Sequence, residues 1–253
     1  GALAWKPDGG LGVIWLDGRR SLGEAAVGSR LDLWGTKLAI ETPEPLLDPT
    51  GVLLVAAPPA GLLESPALAF NSGVAAIVWL ERRVATTSVL LALGNEDDAT
   101  ILAAPRVLAS AVGITGVTVT AAGTGFIVAW SSGTQLTWTR VEAAGAPLVP
   151  VVTQVAGTQT VSRVLVTGFI DGGAAFAYGT GPAPRAGFFT HDYTSPTADA
   201  GAMFDTAGAL TGIGFHGGTG SLLFRDPAGQ LVSRASPLSF TIITSTQALS
   251  ECV

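Results

Sequence analysis

Apolar positions along this chain fall in short runs, not in helical stripes. No long stripe of 3.6-residue period with caps is present. β-branched runs alternate with clusters of Gly, Pro and Asp, as in "GVTVT" at 116–120. That pattern predicts strands joined by turns, and an all-β chain. Five stretches then repeat one design. They are "ALAWKPDGGLGVIWLDGRR" from Ala2, "ALAFNSGVAAIVWLERR" from Ala67, "VTVTAAGTGFIVAWSSG" from Val117, "VLVTGFIDGGAAFAYGTG" from Val164 and "LTGIGFHGGTGSLLFRDPAG" from Leu210. Each reads as an apolar strand, a Gly-containing turn and a second strand ending near an aromatic. Those aromatics are Trp15, Trp79, Trp130, Tyr178 and Phe224, spaced 64, 51, 48 and 46 residues apart. Such a period is that of a propeller blade.

Two further strand candidates follow each hairpin. They are "LDLWGTKLAI" and "GVLLVAA", "SVLLALG" and "RVLASAV", "QLTWTRVEA" and "PVVTQVA", "AGFFTHDY" and a weak "GAMFDT", and "QLVSRAS" and "FTIITST". The expected fold is therefore a five-bladed β-propeller of four-stranded antiparallel blades, or a fragment of a longer propeller or repeat array. One domain spans 1–253, with blades at about 1–64, 65–114, 115–161, 162–208 and 209–253. Radially stacked sheets cover both faces of each blade, which explains strands that are apolar on both sides. A linear β-solenoid would lack antiparallel hairpins. Two sandwiches would need a central linker, and "APPAG" and "GPAPR" fall inside single units.

Composition narrows the function classes. Apolar residues are 48% of the chain and charged residues 13%, about half the usual share. Net charge is −6, and lysine occurs only at Lys6 and Lys37. No basic block offers a footprint for nucleic acid or an anionic membrane. The uncharged run 107–139 is long enough to span a bilayer, but glycines punctuate it into strand and turn, so no membrane insertion is expected. Two tyrosines are too few for the aromatic girdles of an outer-membrane barrel. Cys252 is the single cysteine, which rules out an internal disulfide framework and leaves an intermolecular bridge as its one special use. Without an initiator Met, the chain reads as a processed product or an excised fragment.

The first unit carries a resemblance. Asp32, Leu33, Trp34, Gly35, Lys37 and Leu38, then Leu47, Asp48, Pro49 and Gly51, resemble a bacterial secreted repeat that reads Asp-Ile-Tyr-Gly-x-Arg-Val, then Leu-Asp-Pro-x-Gly. Trp15, Asp17, Gly18 and Arg19 resemble its Trp-x-Asp-x-Arg piece, with Trp79, Arg82 and Arg83 a looser match. The resemblance covers about 1–85. It implies propeller blades in secreted or cell-surface proteins, and no particular chemistry.

Candidate chemistry is sparse. Asp8 and Asp171 occupy matching first-hairpin turns, with Asn71 and His216 at the equivalent turns of two other units. If those turns share one face, Asp8 and Asp171 are the pair a glycan hydrolase would use. Turn formation explains the same residues without catalysis. Asp17, Glu81 and Asp226 follow the second strand of three units, beside Arg19, Arg20, Arg82, Arg83 and Arg225. Exposed ion pairing is the plain account. Asp17, Arg19, Trp34, Arg82, Arg83 and His216 are the candidates for holding a protein or carbohydrate. "GNEDDAT" at 94–100 lacks the spacing of a calcium loop. Two histidines, His191 and His216, are too few for a multi-histidine metal site, so neither metal nor cofactor is expected. No Gly-x-Ser-x-Gly elbow precedes a helix, and "HGGTGS" opens into a strand, which leaves no phosphate cradle. Lys37, Arg140, His191 and Arg234 fall near one place in the third strand of four units, as snorkelling cations or a ring of them. The leading reading is a non-catalytic secreted or surface binding module. A glycan-active hydrolase and a structural spacer are its alternatives.

Overall fold

The computed structural model describes residues 1–6, 9–21, 30–39, 50–96, 101–143, 152–155, 160–168, 174–180, 183–189, 196–203, 209–216, 219–225 and 228–236. Among these residues the strands form five antiparallel sheets, each in chain order. The first holds β1 (Ala2–Trp5), β2 (Gly10–Asp17), β3 (Asp32–Ala39) and β4 (Val52–Val55). The second holds β5 (Leu62–Asn71), β6 (Val74–Arg82), β7 (Thr87–Asn95) and β8 (Arg106–Ala111). The third holds β9 (Ile114–Ala122), β10 (Gly125–Ser132), β11 (Gln135–Glu142) and β12 (Val152–Val155). The fourth holds β13 (Val161–Gly168), β14 (Ala174–Thr180), β15 (Ala183–Phe189) and β16 (Pro196–Met203). The fifth holds β17 (Ala209–His216), β18 (Thr219–Arg225) and β19 (Leu231–Ser236). The sheets open at 2, 62, 114, 161 and 209. The fourth strand of the fourth unit begins earlier than "GAMFDT" suggested. The "FTIITST" strand candidate lies outside the described residues.

Consecutive sheets pack through their leading strands. β1 and β2 lie against β5, β5 against β9, β9 against β13, and β13 against β17. Pleating sends alternate side chains to opposite faces, so each sheet serves two interfaces. Between the first two sheets the core holds Ile14 and Leu33 from one side. Leu68, Phe70, Ile77, Trp79 and Leu90 come from the other. Between the second and third it holds Val78, Leu80 and Leu91 against Val119, Phe126, Val128 and Trp130. Trp79 and Trp130 therefore fill the same place in successive interfaces, on the face toward the preceding sheet. Each aliphatic or Phe side chain buried beside them contributes about 1.5–3 kcal/mol.

The opposite face, toward the following sheet, is built small near its leading strands. In the first sheet Ala2 and Ala4 line it, and Gly12 sits where a Cβ would meet the Phe70 ring. A bulky face thus nests on a small one. The turns match their sequence. β5 and β6 join through Ser72 and Gly73, both at positive φ (51° and 81°), the left-handed pair of a two-residue hairpin. Gly51, φ 84°, starts the β4 segment where the Trp15 ring leaves no room for a Cβ. No described helix is long and apolar enough to cross a membrane.

Candidate functional site

Hydrogen bonds tie the first-hairpin turns of the second and third sheets together at one end, here the near end. The turns after the second strands, and the links between sheets, lie at the far end. Asn71 shows how the near end is fastened. Its Nδ2 donates to the carbonyls of Gly123 (3.0 Å) and Gly125 (2.7 Å), joining the first hairpin of the second sheet to that of the third. A residue that looked like a turn former is a clamp between sheets. Asp8 and Asp171 lie outside the described residues. For His216, only its place at the end of β17 is described.

Both lysines of the chain are buried at this end. Lys6 Nζ stands 4.0 Å from Glu96 Oε1. Lys37 and Glu96 border a narrow gap lined by Gly12, Ile14, Phe70 and Ile77. The apolar lining is the gap between the first two sheets. Lys37 and Arg140 share one face of the repeat, paired with Gly12 and Ile127 at equivalent positions. Arg234 pairs with Leu222 and falls on the opposite face, and His191 lies outside the described residues. The cations therefore make no regular ring among the described residues.

The far end gathers more of the expected residues. Asp17 ends β2, and a single 3-10 turn, Arg19–Ser21, follows it. Arg19 folds back. Its backbone N–H donates to Asp17 Oδ1 and its Nε to Asp17 Oδ2, both at 2.8 Å, while Nη1 donates to the Thr50 carbonyl. The guanidinium then lies over Trp34, 4.3 Å from the ring centroid, and 5.9 Å from that of Trp15. Trp15 Nε1 donates to the same carboxylate at 3.3 Å. Hydrogen bonds from the Arg19 side chain, then from its backbone N–H, hold the Asp17 carboxyl below the ordinary carboxylate value. Asp17, Arg19 and Trp34 are thus brought together, and one face of Trp34 is covered by Arg19.

Arg82 and Arg83 belong to the second sheet. Arg82 Nη2 meets Glu64 Oε2 at 2.9 Å, and Arg83 pairs with Glu81. Asp226 and Cys252 lie outside the described residues, while Arg225 is exposed and donates to the Gly229 carbonyl at 2.6 Å. Two partners were not legible in sequence. Glu64 is separated from Arg82 by 18 residues. Asp32 is buried, accepts the Ala57 N–H at 2.8 Å and faces Arg20 at 3.6 Å. It fastens β3 to the link between sheets. Beside these charges, Leu31, Leu62, Val84 and Val112 are exposed, Val84 fully. Among the described residues, no three His, Cys, Asp or Glu side chains come together as a metal site would require.

No family model and no curated protein matches the chain. Among solved structures it is similar to the Dos1 propeller, at 11% identity and a TM-score of 0.53, over 96% of this chain and 58% of that one. It is similar to prolyl oligopeptidase B from Galerina marginata, at 10% identity and 0.54, over 97% of this chain and 34% of the other. It is also similar to a GH32 β-fructofuranosidase from Bombyx mori, at 9% identity and 0.52, over 99% of this chain and 64% of that one. The chain spans little over half of the Dos1 propeller and about a third of the oligopeptidase. At these identities the likeness shows the fold alone: the sheets are arranged as in β-propeller proteins.

Proposed function

We propose that this chain is a five-bladed β-propeller, secreted or displayed on a cell surface, whose far end binds a protein partner without catalysis. One observation carries the reading. The far end of the first two sheets presents Leu31, Leu62, Val84 and Val112 beside Arg19, Arg20, Arg82 and Arg83. Exposed apolar groups beside arginines suit a protein interface, where Arg is enriched. A protein is favoured over a glycan because the apolar groups there are aliphatic, and Arg19 covers Trp34, the ring that would stack on a sugar. Nucleic acid and lipid are not the expected partners, and Cys252 offers a possible intermolecular link.

Solved neighbours include hydrolases, which keeps a hydrolytic alternative through Asp8 and Asp171. The test is to probe the purified chain against a glycan array and an array of extracellular proteins. Binding to a protein that is lost in an Arg82→Glu/Val84→Asp variant supports the proposal. Glycan binding that this variant retains overturns it, and silence on both arrays leaves only a spacer.

A further inference from the structure

The first two interfaces between sheets use the same repeat positions and fill them differently. Between the second and third sheets, Leu91 and Leu93 meet Phe126 and Val141, all buried, with Ala143 packed beside them. Aligning Trp15 with Trp79 puts Gly35 at the position of Leu91 and Lys37 at that of Leu93. Aligning Trp79 with Trp130 puts Ala75 at the position of Phe126, Gly94 at that of Val141 and Glu96 at that of Ala143. Phe70 returns one ring, but from the leading strand, where it packs over Gly12. The outer half of the first interface, between Gly35 and Gly94, is left as the narrow gap that Ile14, Leu54 and Ile77 also line.

Charge gathers where the filler is missing. Lys6 and Lys37 are buried, and the Glu96 side chain is 15% exposed. Glu96 Oε1 faces Lys6 Nζ at 4.0 Å, beyond hydrogen-bond reach. Its Oε2 is buried and accepts no hydrogen bond among the described residues. A buried carboxylate oxygen without a donor is costly. Alanine serves at the same place one unit later, so the fold does not require that carboxylate.

We propose that this gap binds a small uncharged amphiphile, with a hydroxyl or carboxamide head on a short apolar stem. The head donates to Glu96 Oε2 and accepts from the ammonium group of Lys37, which carries three N–H donors. The stem lies against Ile14, Leu54 and Ile77. A cationic head would add a third positive charge beside two buried lysines, and a carboxylate head has no proton to give Glu96. The site lies at the opposite end of the sheets from the proposed partner surface and rests neither on that surface nor on the number of blades.

Backbone amide NMR tests it on the unaltered chain, titrated in turn with butyramide, butanol, butyrate and butylamine. Butyramide and butanol are expected to shift the Gly35, Gly94 and Glu96 amides saturably, and both charged probes to bind about tenfold more weakly. Gly94→Val restores the filler of the second interface and should abolish those shifts while the rest of the spectrum stays native. Because that variant can fail to fold, Glu96→Ala, the residue of the next unit, is measured beside it and should weaken butyramide about tenfold. No saturable shift from either neutral probe, or shifts that both variants retain, overturns the proposal. Equal or tighter binding of butyrate or butylamine overturns the uncharged class of ligand.

Discussion

Trp79 and Trp15 hold the same position in successive repeats, and their surroundings differ. Trp79 is 1% exposed, packed among Leu68, Phe70 and residues of the first sheet. Trp15 is half-buried, and its indole N–H finds Asp17 while Arg19 stacks nearby. One face of the repeat is dry in the second sheet and wet in the first. Sequence at the face is apolar in both, so the difference comes from what lies opposite. A repeat supplies identical half-interfaces, and position in the array decides which are filled.

The widest test of this contrast is truncation of both indoles. Trp79→Ala is expected to cost about 3–5 kcal/mol, read from urea unfolding. Trp15→Ala should cost well below that figure, because its face of the first sheet is only half-buried. Overpacking the small half comes next. Gly12→Val drives a side chain into Phe70 and is expected to cost about 1–3 kcal/mol or more. Asn71→Ala removes the clamp at Gly123 and Gly125, with an expected loss of about 1–3 kcal/mol and faster amide exchange in that hairpin.

Smaller effects separate the far ends of the two sheets. Asp17 has its pKa lowered below the ordinary 3.8, so the folded state favours the carboxylate. Its contribution is present above that ordinary value and is lost as pH falls through the lowered one. Urea midpoints of the unaltered chain and of Asp17→Asn should therefore converge as pH is lowered from about 5 toward 2. A gap that does not narrow would contradict the Arg19 pairing as its source. Least of all, Arg82→Ala breaks an exposed pair with Glu64 and should move stability by no more than about 0.5 kcal/mol. Its effect should fall on partner binding.

Much of the architecture was legible. Alternation marked the strands, Gly and Asn marked the turns, and recurring aromatics marked the units, because each signal acts over a few residues. The candidate site was legible only in part. Asp17 and Arg19 are two residues apart, and their pairing follows from one turn. Arg82 choosing Glu64, and Asn71 choosing the carbonyl of Gly125, span 18 and 54 residues. Nothing local announces such partners. Trp34 stood among the candidate ligand contacts, and nothing local showed that Arg19 folds back over one of its faces.

By itself the sequence determined that the chain alternates strand and turn, that the units recur, and which positions are apolar. Those properties follow from backbone sterics and side-chain periodicity, which need no distant partner. Only the tertiary structure decided that Trp79 is sealed while Leu3 and Trp5 are not. It also decided that two lysines lie buried beside Glu96, and that small faces nest under bulky ones. Burial and pairing are properties of two surfaces brought together, and a single strand specifies only one of them.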